Sequence, residues 1–123
     1  MKKNEISNTG LLVTPICVGT SSIGDTSSLY DNKVSERRDI ETVLEVFKGP
    51  INFMDTSNNY GFGNSEKRIG TAILEFGGLP DNFVLATKVD RDMETGRFDS
   101  QRVRQSLDCL LYTSDAADDY RSV

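Results

Sequence analysis

Ile51-Asn-Phe-Met-Asp55 and Phe83-Val-Leu-Ala-Thr-Lys88 are the two stretches whose reading decides the fold. Each is a short apolar run preceded by turn-forming residues, Gly49-Pro50 in one case and Gly77-Gly78-Leu-Pro80 in the other, so each reads as a buried strand. Each also delivers a charged side chain at its carboxyl end. In parallel α/β folds chemistry collects at strand C-termini, which makes Asp55 and Lys88 candidate site residues. Tyr60 follows five residues after Asp55, in the turn-rich stretch Thr56-Ser-Asn-Asn-Tyr60-Gly-Phe-Gly63. A Lys beside a Tyr favours the phenolate, and an Asp keeps that Lys charged and in place, so the three make an acid/base set. By spacing alone they suit a capping Asp, a surface Tyr and an exposed Lys equally well.

Outward from these strands, the chain alternates strand and helix. A strand near Ile16–Gly19 precedes the two already named. A helix over Ser35–Lys48 is expected between the first and second strands. Ser35 is its N-cap, Glu36 suits the positive helix end, and Ile40, Val43, Leu44 and Phe47 form one apolar stripe. Gly49-Pro50 stops it. A second helix, Ser65–Phe76, turns Ile69, Ala72, Ile73 and Phe76 inward, with Ser65 starting it and Glu66 and Arg68 in scaffold roles. A third amphipathic helix is read over Arg102–Leu107, with Val103 and Leu107 four apart. Before all of these, Lys2–Ile6 and Leu11–Thr14 flank Ser7-Asn-Thr-Gly10 and read as an antiparallel hairpin. The polar stretch Thr20–Lys33 is too long for a routine βα connection and reads either as a loop that shapes access to the site or as plain disorder. Gly61 and Gly63 lack the third Gly and the adjacent strand of a dinucleotide fingerprint. Their expected role is to let the chain turn sharply at Tyr60.

Composition narrows the function classes. With 19 acidic against 14 basic side chains and a net charge of −5, no Lys/Arg run exceeds two, which argues against nucleic-acid binding. The N-terminus has no apolar signal region and no stretch approaches the length of a membrane span, so a cytoplasmic protein with no membrane partner is expected. Cys17 and Cys109 offer no zinc spacing, and Cys17, within the first strand, is expected to be a buried, reduced thiol. The sequence contains no His, which leaves no Ser–His or Cys–His nucleophile to build and supports no metal site.

Four separated motifs then fall in order: Val18-Gly19-Thr20 after Gly10-Leu-Leu-Val-Thr-Pro15; Asp55-x-x-x-x-Tyr60-Gly; Gly63-Asn-Ser65-Glu66-Lys-Arg68-Ile-Gly70; and Leu85-Ala-Thr-Lys88. Together, from about Asn4 to Asp108, they resemble the aldo-keto reductase family. The resemblance implies an α/β fold, a (β/α)8 barrel whose N-terminal hairpin closes the end away from the chemistry. It also implies an oxidoreductase that uses NADP or NAD to interconvert a carbonyl, or a sugar lactol, with its alcohol or lactone. By that match Tyr60 is the proton donor, Asp55 and Lys88 tune it, and Gly19, Thr20 and Asp55 face the cofactor. Within the family, the stretch around Asp55–Glu66 most resembles the branch with aldose 1-dehydrogenases, of L-fucose or D-galactose type, and pyridoxal 4-dehydrogenase. A non-catalytic nicotinamide-binding regulatory subunit of the same fold is the alternative.

A whole barrel of this kind takes about 250 residues. The 123 residues are therefore expected to form its truncated N-terminal portion, about three βα units plus the hairpin, over residues 1–108. The family's fourth catalytic residue, a His on the next strand, has no counterpart. Residues 109–123 are expected to be a non-native tail, since Cys109-Leu-Leu-Tyr-Thr-Ser-Asp-Ala-Ala-Asp118 resembles the translation of a sequencing adapter. The sequence carries no sign of oligomeric state.

Overall fold

The computed structural model describes residues 1–24 and 34–113. A two-stranded antiparallel hairpin comes first, β1 (Asn4–Glu5) and β2 (Leu12–Val13), in the register Asn4 with Val13 and Glu5 with Leu12. The turn between them uses positive φ at Ser7 (47°) and Gly10 (77°). Three parallel strands follow, β3 (Val18–Gly19), β4 (Phe53–Asp55) and β5 (Val84–Ala86), in the spatial order β3-β4-β5. Helix α1 (Glu36–Lys48) connects β3 to β4, and α2 (Asn64–Phe76) connects β4 to β5. Helix α3 (Ser100–Thr113) comes after β5 and passes Asp108, the expected boundary between the two segments. Among the described residues β3 and β5 are the edges of the sheet.

The helix limits match the caps read from the sequence. Ser35 accepts a hydrogen bond from the Arg38 amide, the role of an N-cap. Gly77, at φ 91°, closes α2 in the left-handed conformation that glycine adopts without steric cost. Asp99 caps α3 by accepting from the Arg102 amide. Between the helices and the sheet lies a core of Ile23, Ile40, Val43, Phe47, Met54, Ile69, Ala72, Ile73 and Phe83. Phe47 meets Phe76 and Phe83 edge-on, at centroid distances of 5.6 and 5.0 Å. Such contacts add about 0.5–1.5 kcal/mol each to the apolar burial. Two ion pairs join α1 to α2: Arg37 grips Glu75 at the surface, and Arg68 meets the buried Asp39.

One polar residue ties the hairpin to the sheet. Asn52 is buried; its Oδ1 accepts from the Thr14 amide at 2.8 Å, and its Nδ2 donates to the carbonyls of Leu12 and Asn82 at 2.9 and 2.7 Å. The hairpin therefore sits at the amino end of β4, opposite the charged strand ends.

Cys17 corrects an expectation. It is exposed and a free thiol, just before the paired part of β3, which among the described residues has a neighbouring strand on one side only. The expected long loop Thr20–Lys33 is described only as far as Gly24, and residues 25–33 lie outside the described residues, as do residues 114–123 of the expected tail.

Candidate active site

The sheet's register builds the site. Gly19 pairs with Asp55, and Asp55 with Ala86, so these three Cα positions form one row across the carboxyl end. Lys88 lies two residues past Ala86, the spacing that returns a side chain to the same face of an extended strand. Its ammonium donates to Asp55 Oδ2 at 2.7 Å and to the Thr56 carbonyl at 2.8 Å, and it lies 3.4 Å from the Tyr60 hydroxyl. The same nitrogen stands 5.0 Å from the centre of the Tyr60 ring, within cation–π range. The structure thus brings together Asp55, Tyr60 and Lys88, residues spread over 33 positions of sequence.

The electrostatics keep Lys88 charged. Partial burial pulls its pKa down, but hydrogen bonds to Asp55 and Tyr60, with the nearby Asp55 charge, outweigh that and leave it raised above 10.5. The Lys88 and Asp55 side chains remain 43% and 36% exposed, and an exposed pair of this kind contributes at most about 1 kcal/mol to stability. So small a contribution makes the pair a poor device for folding and a suitable one for holding a cation beside a phenol.

Tyr60 reaches the ammonium because the chain turns abruptly after β4. Gly61, Phe62 and Gly63 all have positive φ, at 57°, 56° and 90°. The two glycines meet the expectation of a sharp turn; Phe62 shares it without having been anticipated. Gly61 also packs against Gly24, where any Cβ would overlap the Gly24 carbonyl, so glycine is required there for space as well as for conformation. The Gly24 amide in turn donates to Asp39 at 2.9 Å, the carboxylate paired with Arg68. The ion pair with Asp39 is in keeping with the scaffold role expected of Arg68.

Gly19 and Thr20 occupy different environments. Gly19 is exposed, and a Cβ there would meet nothing within 4 Å, so open space lies beside Asp55. Thr20 is fully buried, its amide and hydroxyl both donating to the Asp55 carbonyl at 3.0 Å. Ser65, also fully buried, bonds Thr20 and lies 3.0 Å from the Thr56 hydroxyl. Glu66 accepts from the Thr87 hydroxyl at 2.6 Å, and its burial pushes the carboxyl pKa up from 4.5. These hydroxyl and carboxyl bridges are the part of the site that the sequence did not reveal. The available signal was a Ser or Thr directly after each strand, at Thr20, Thr56 and Thr87, facing a Ser-Glu pair at the start of a helix. No group of His, Cys, Asp and Glu suited to a metal ion occurs among the described residues, and no helix among them is long and apolar enough to cross a membrane.

Comparison with known proteins places these features in context. Residues 15–116 match the model of the Aldo/keto reductase family. The chain is 37% identical over 103 residues to an L-galactose dehydrogenase of Arabidopsis thaliana, covering 84% of this chain and 31% of that protein. It is 32% identical over 97 residues to a pyridoxal 4-dehydrogenase of Microbacterium luteolum, covering 78% and 26%. The holo form of an aldo-keto reductase from Bacillus halodurans superposes with a TM-score of 0.71 at 24% identity, over 92% of this chain and 36% of that one. The chain thus spans between a quarter and a third of the length of these two curated relatives.

Proposed function

The chain belongs to the aldo/keto reductase family and has the fold of the N-terminal portion of its (β/α)8 barrel, and from this premise we propose that Asp55, Tyr60 and Lys88 are the acid–base centre of an NAD(P)-dependent oxidoreductase. The observation that carries the proposal is one ammonium, Lys88 Nζ, in contact with both the Asp55 carboxylate and the Tyr60 hydroxyl. In reduction the Tyr60 hydroxyl donates its proton to the substrate's carbonyl oxygen, becoming a phenolate; in oxidation the Tyr60 phenolate takes the proton from the alcohol or lactol. Positioned proton transfer of this type contributes roughly 10²–10⁴ in rate. Lys88 offsets the negative charge that appears on the phenol oxygen, and Asp55 keeps Lys88 protonated and in reach.

The nicotinamide, when bound, supplies or accepts the hydride. The open space at Gly19, beside Asp55, is where we place that ring. Gly19 and Asp55 would border that ring. Thr20, with its polar groups turned toward Asp55 and Ser65, would support the wall from behind. We assign NADP or NAD to the site without choosing between them. The substrate class is a small carbonyl compound or a sugar lactol, a reading favoured by the relatives named as L-galactose and pyridoxal dehydrogenases. The net charge of −5 suits a soluble cytoplasmic enzyme that handles small molecules. The activity belongs to the full-length barrel, which supplies the remaining strands.

The test is a steady-state assay of the full-length enzyme with a panel of aldoses and aldehydes and with both nucleotides. Turnover of at least one pair is expected. Tight nucleotide binding with no turnover of any substrate would instead mark a regulatory subunit and overturn the assignment.

A further inference from the structure

The backbone of Lys88 lies outside the ladder of the sheet. The last paired residue of β5 is Ala86, whose carbonyl receives the Thr56 amide at 2.8 Å, and the ladder stops there. Yet the site depends on the distance from Lys88 to side chains on β4 and on the turn that follows it. The described backbone between Ala86 and Lys88 has one side-chain tether, the Thr87 hydroxyl bonded to Glu66.

Glu66 sits in the first turn of α2, next to Ser65. Ser65 bonds the end of β3 through Thr20 and the end of β4 through Thr56. Two consecutive side chains on one rigid helical turn therefore reach all three strand ends on which Gly19, Asp55 and Lys88 are mounted. We propose that Ser65 and Glu66 form a clip that sets the spacing of the acid–base centre, with Glu66 acting through Thr87 as the positioning residue for Lys88. This rests on the functional reading above and adds to it residues that touch neither substrate nor cofactor.

The ordinary role of a Glu in the first turn of a helix is to favour the positive helix end, and that role is filled at the surface. Glu66 is instead buried, 3% exposed, with its carboxylate directed at a strand-end hydroxyl. Burying a carboxylate is costly unless it is bonded, and a solvated Glu would serve the helix end at no such cost. The geometry thus fits a tether better than it fits a helix-end charge. A clip of this kind matters for rate because small displacements of catalytic groups cost much more in turnover than in stability.

The experiment uses the full-length enzyme and the variants Thr87→Val, Thr87→Ser, Glu66→Ala and Glu66→Gln, with Tyr60→Phe alongside. Thr87→Val conserves shape and removes the hydroxyl, so it remains informative if Glu66→Ala fails to fold. Thr87→Val and Glu66→Ala are each expected to lower kcat about tenfold or more, with nucleotide affinity and KM within about twofold of wild type. Thr87→Ser and Glu66→Gln, which keep a donor and an acceptor, are expected to recover most of that loss. The double variant Thr87→Val/Glu66→Ala should fall no further than the worse single one. Wild-type kcat in Thr87→Val, or losses that multiply in the double variant, would overturn the clip. If Tyr60→Phe abolishes turnover while Thr87→Val does not change it, the clip alone fails. Near-wild-type turnover in Tyr60→Phe would overturn the acid–base reading and the clip with it.

Discussion

The two ends of the three-stranded sheet are both pinned by polar side chains, but to different ends. At the amino end Asn52 is buried and spends its amide group on three backbone partners, the Thr14 amide and the carbonyls of Leu12 and Asn82. Its polar atoms are consumed by structure. At the carboxyl end the supporting layer is also consumed, since buried Thr20, Ser65, Thr56 and Glu66 and half-buried Thr87 bond to one another or to nearby backbone. Above that layer, however, Asp55 and Lys88 stay more than one-third exposed. The contrast separates two uses of a polar group at a strand end. One completes the fold; the other rests on a completed layer and stays open to solvent.

The largest effect should come from breaking the open end. Lys88→Met removes the cation that offsets a charged phenol oxygen, so turnover in the full-length enzyme is expected to fall by about 10²-fold or more. The pH at which oxidation rises should also move upward, because the phenolate loses its stabilising neighbour. Thermal stability should change little, as the exposed ion pair contributes at most about 1 kcal/mol. A pH–rate series with a melting curve on the same sample checks both halves.

Next in size is the closed end. Asn52→Ala strands a buried amide and two carbonyls, and each buried group left without a partner costs about 1–3 kcal/mol. A loss of about 2 kcal/mol or more in unfolding free energy is expected, with kcat of the folded enzyme unchanged. Chemical denaturation paired with kinetics would reveal a fall in kcat, which would erase the distinction between the two ends.

The smallest effect concerns the supporting layer and depends on pH. Burial raises the Glu66 pKa above 4.5 in the folded chain. Between the unfolded and folded values the native state therefore binds more protons than the unfolded state. The stability that protonated Glu66 supports is present below pH 4.5 and is lost as pH rises through the folded value. Glu66→Gln keeps an acceptor for Thr87 and has nothing to titrate. Its stability relative to wild type should therefore improve as pH is raised from 4 to 7, measured by denaturant midpoints. A difference that stays constant over this range would show that burial does not load Glu66 in the way described.

These regions differ too in how far they could be read from sequence. Local signals were sufficient for the helices: Ser35, Gly49-Pro50 and Gly77 act within a turn of where they stand, and α1 and α2 begin and end within a residue of expectation. Asp55, Tyr60 and Lys88 stood out as candidates, because a charge at the end of an apolar run is a pattern within a few residues, but the roles proposed for them came from the resemblance of the wider motifs, since spacing alone suited surface residues equally well. What escaped was set by contacts across the fold. Thr87 and Glu66 are 21 positions apart, Ser65 and Thr20 are 45, and Asn52 and Leu12 are 40. No periodicity within a single element encodes such pairings. The misplacement of Cys17 has the same origin: an apolar neighbourhood in sequence suggested burial, while exposure is decided by whether a strand lies alongside.

The proposed acid–base chemistry stands or falls on the Tyr60 hydroxyl moving the proton. Its most direct test is the single-turnover rate of hydride transfer in the full-length enzyme, wild type against Tyr60→Phe, followed by nucleotide absorbance across pH, with nucleotide affinity measured in parallel. A rate at least about 100-fold lower is expected in Tyr60→Phe, with the pH dependence of oxidation flattened and nucleotide affinity unchanged. A Tyr60→Phe enzyme that transfers hydride at close to the wild-type rate, with the same pH dependence, would contradict it.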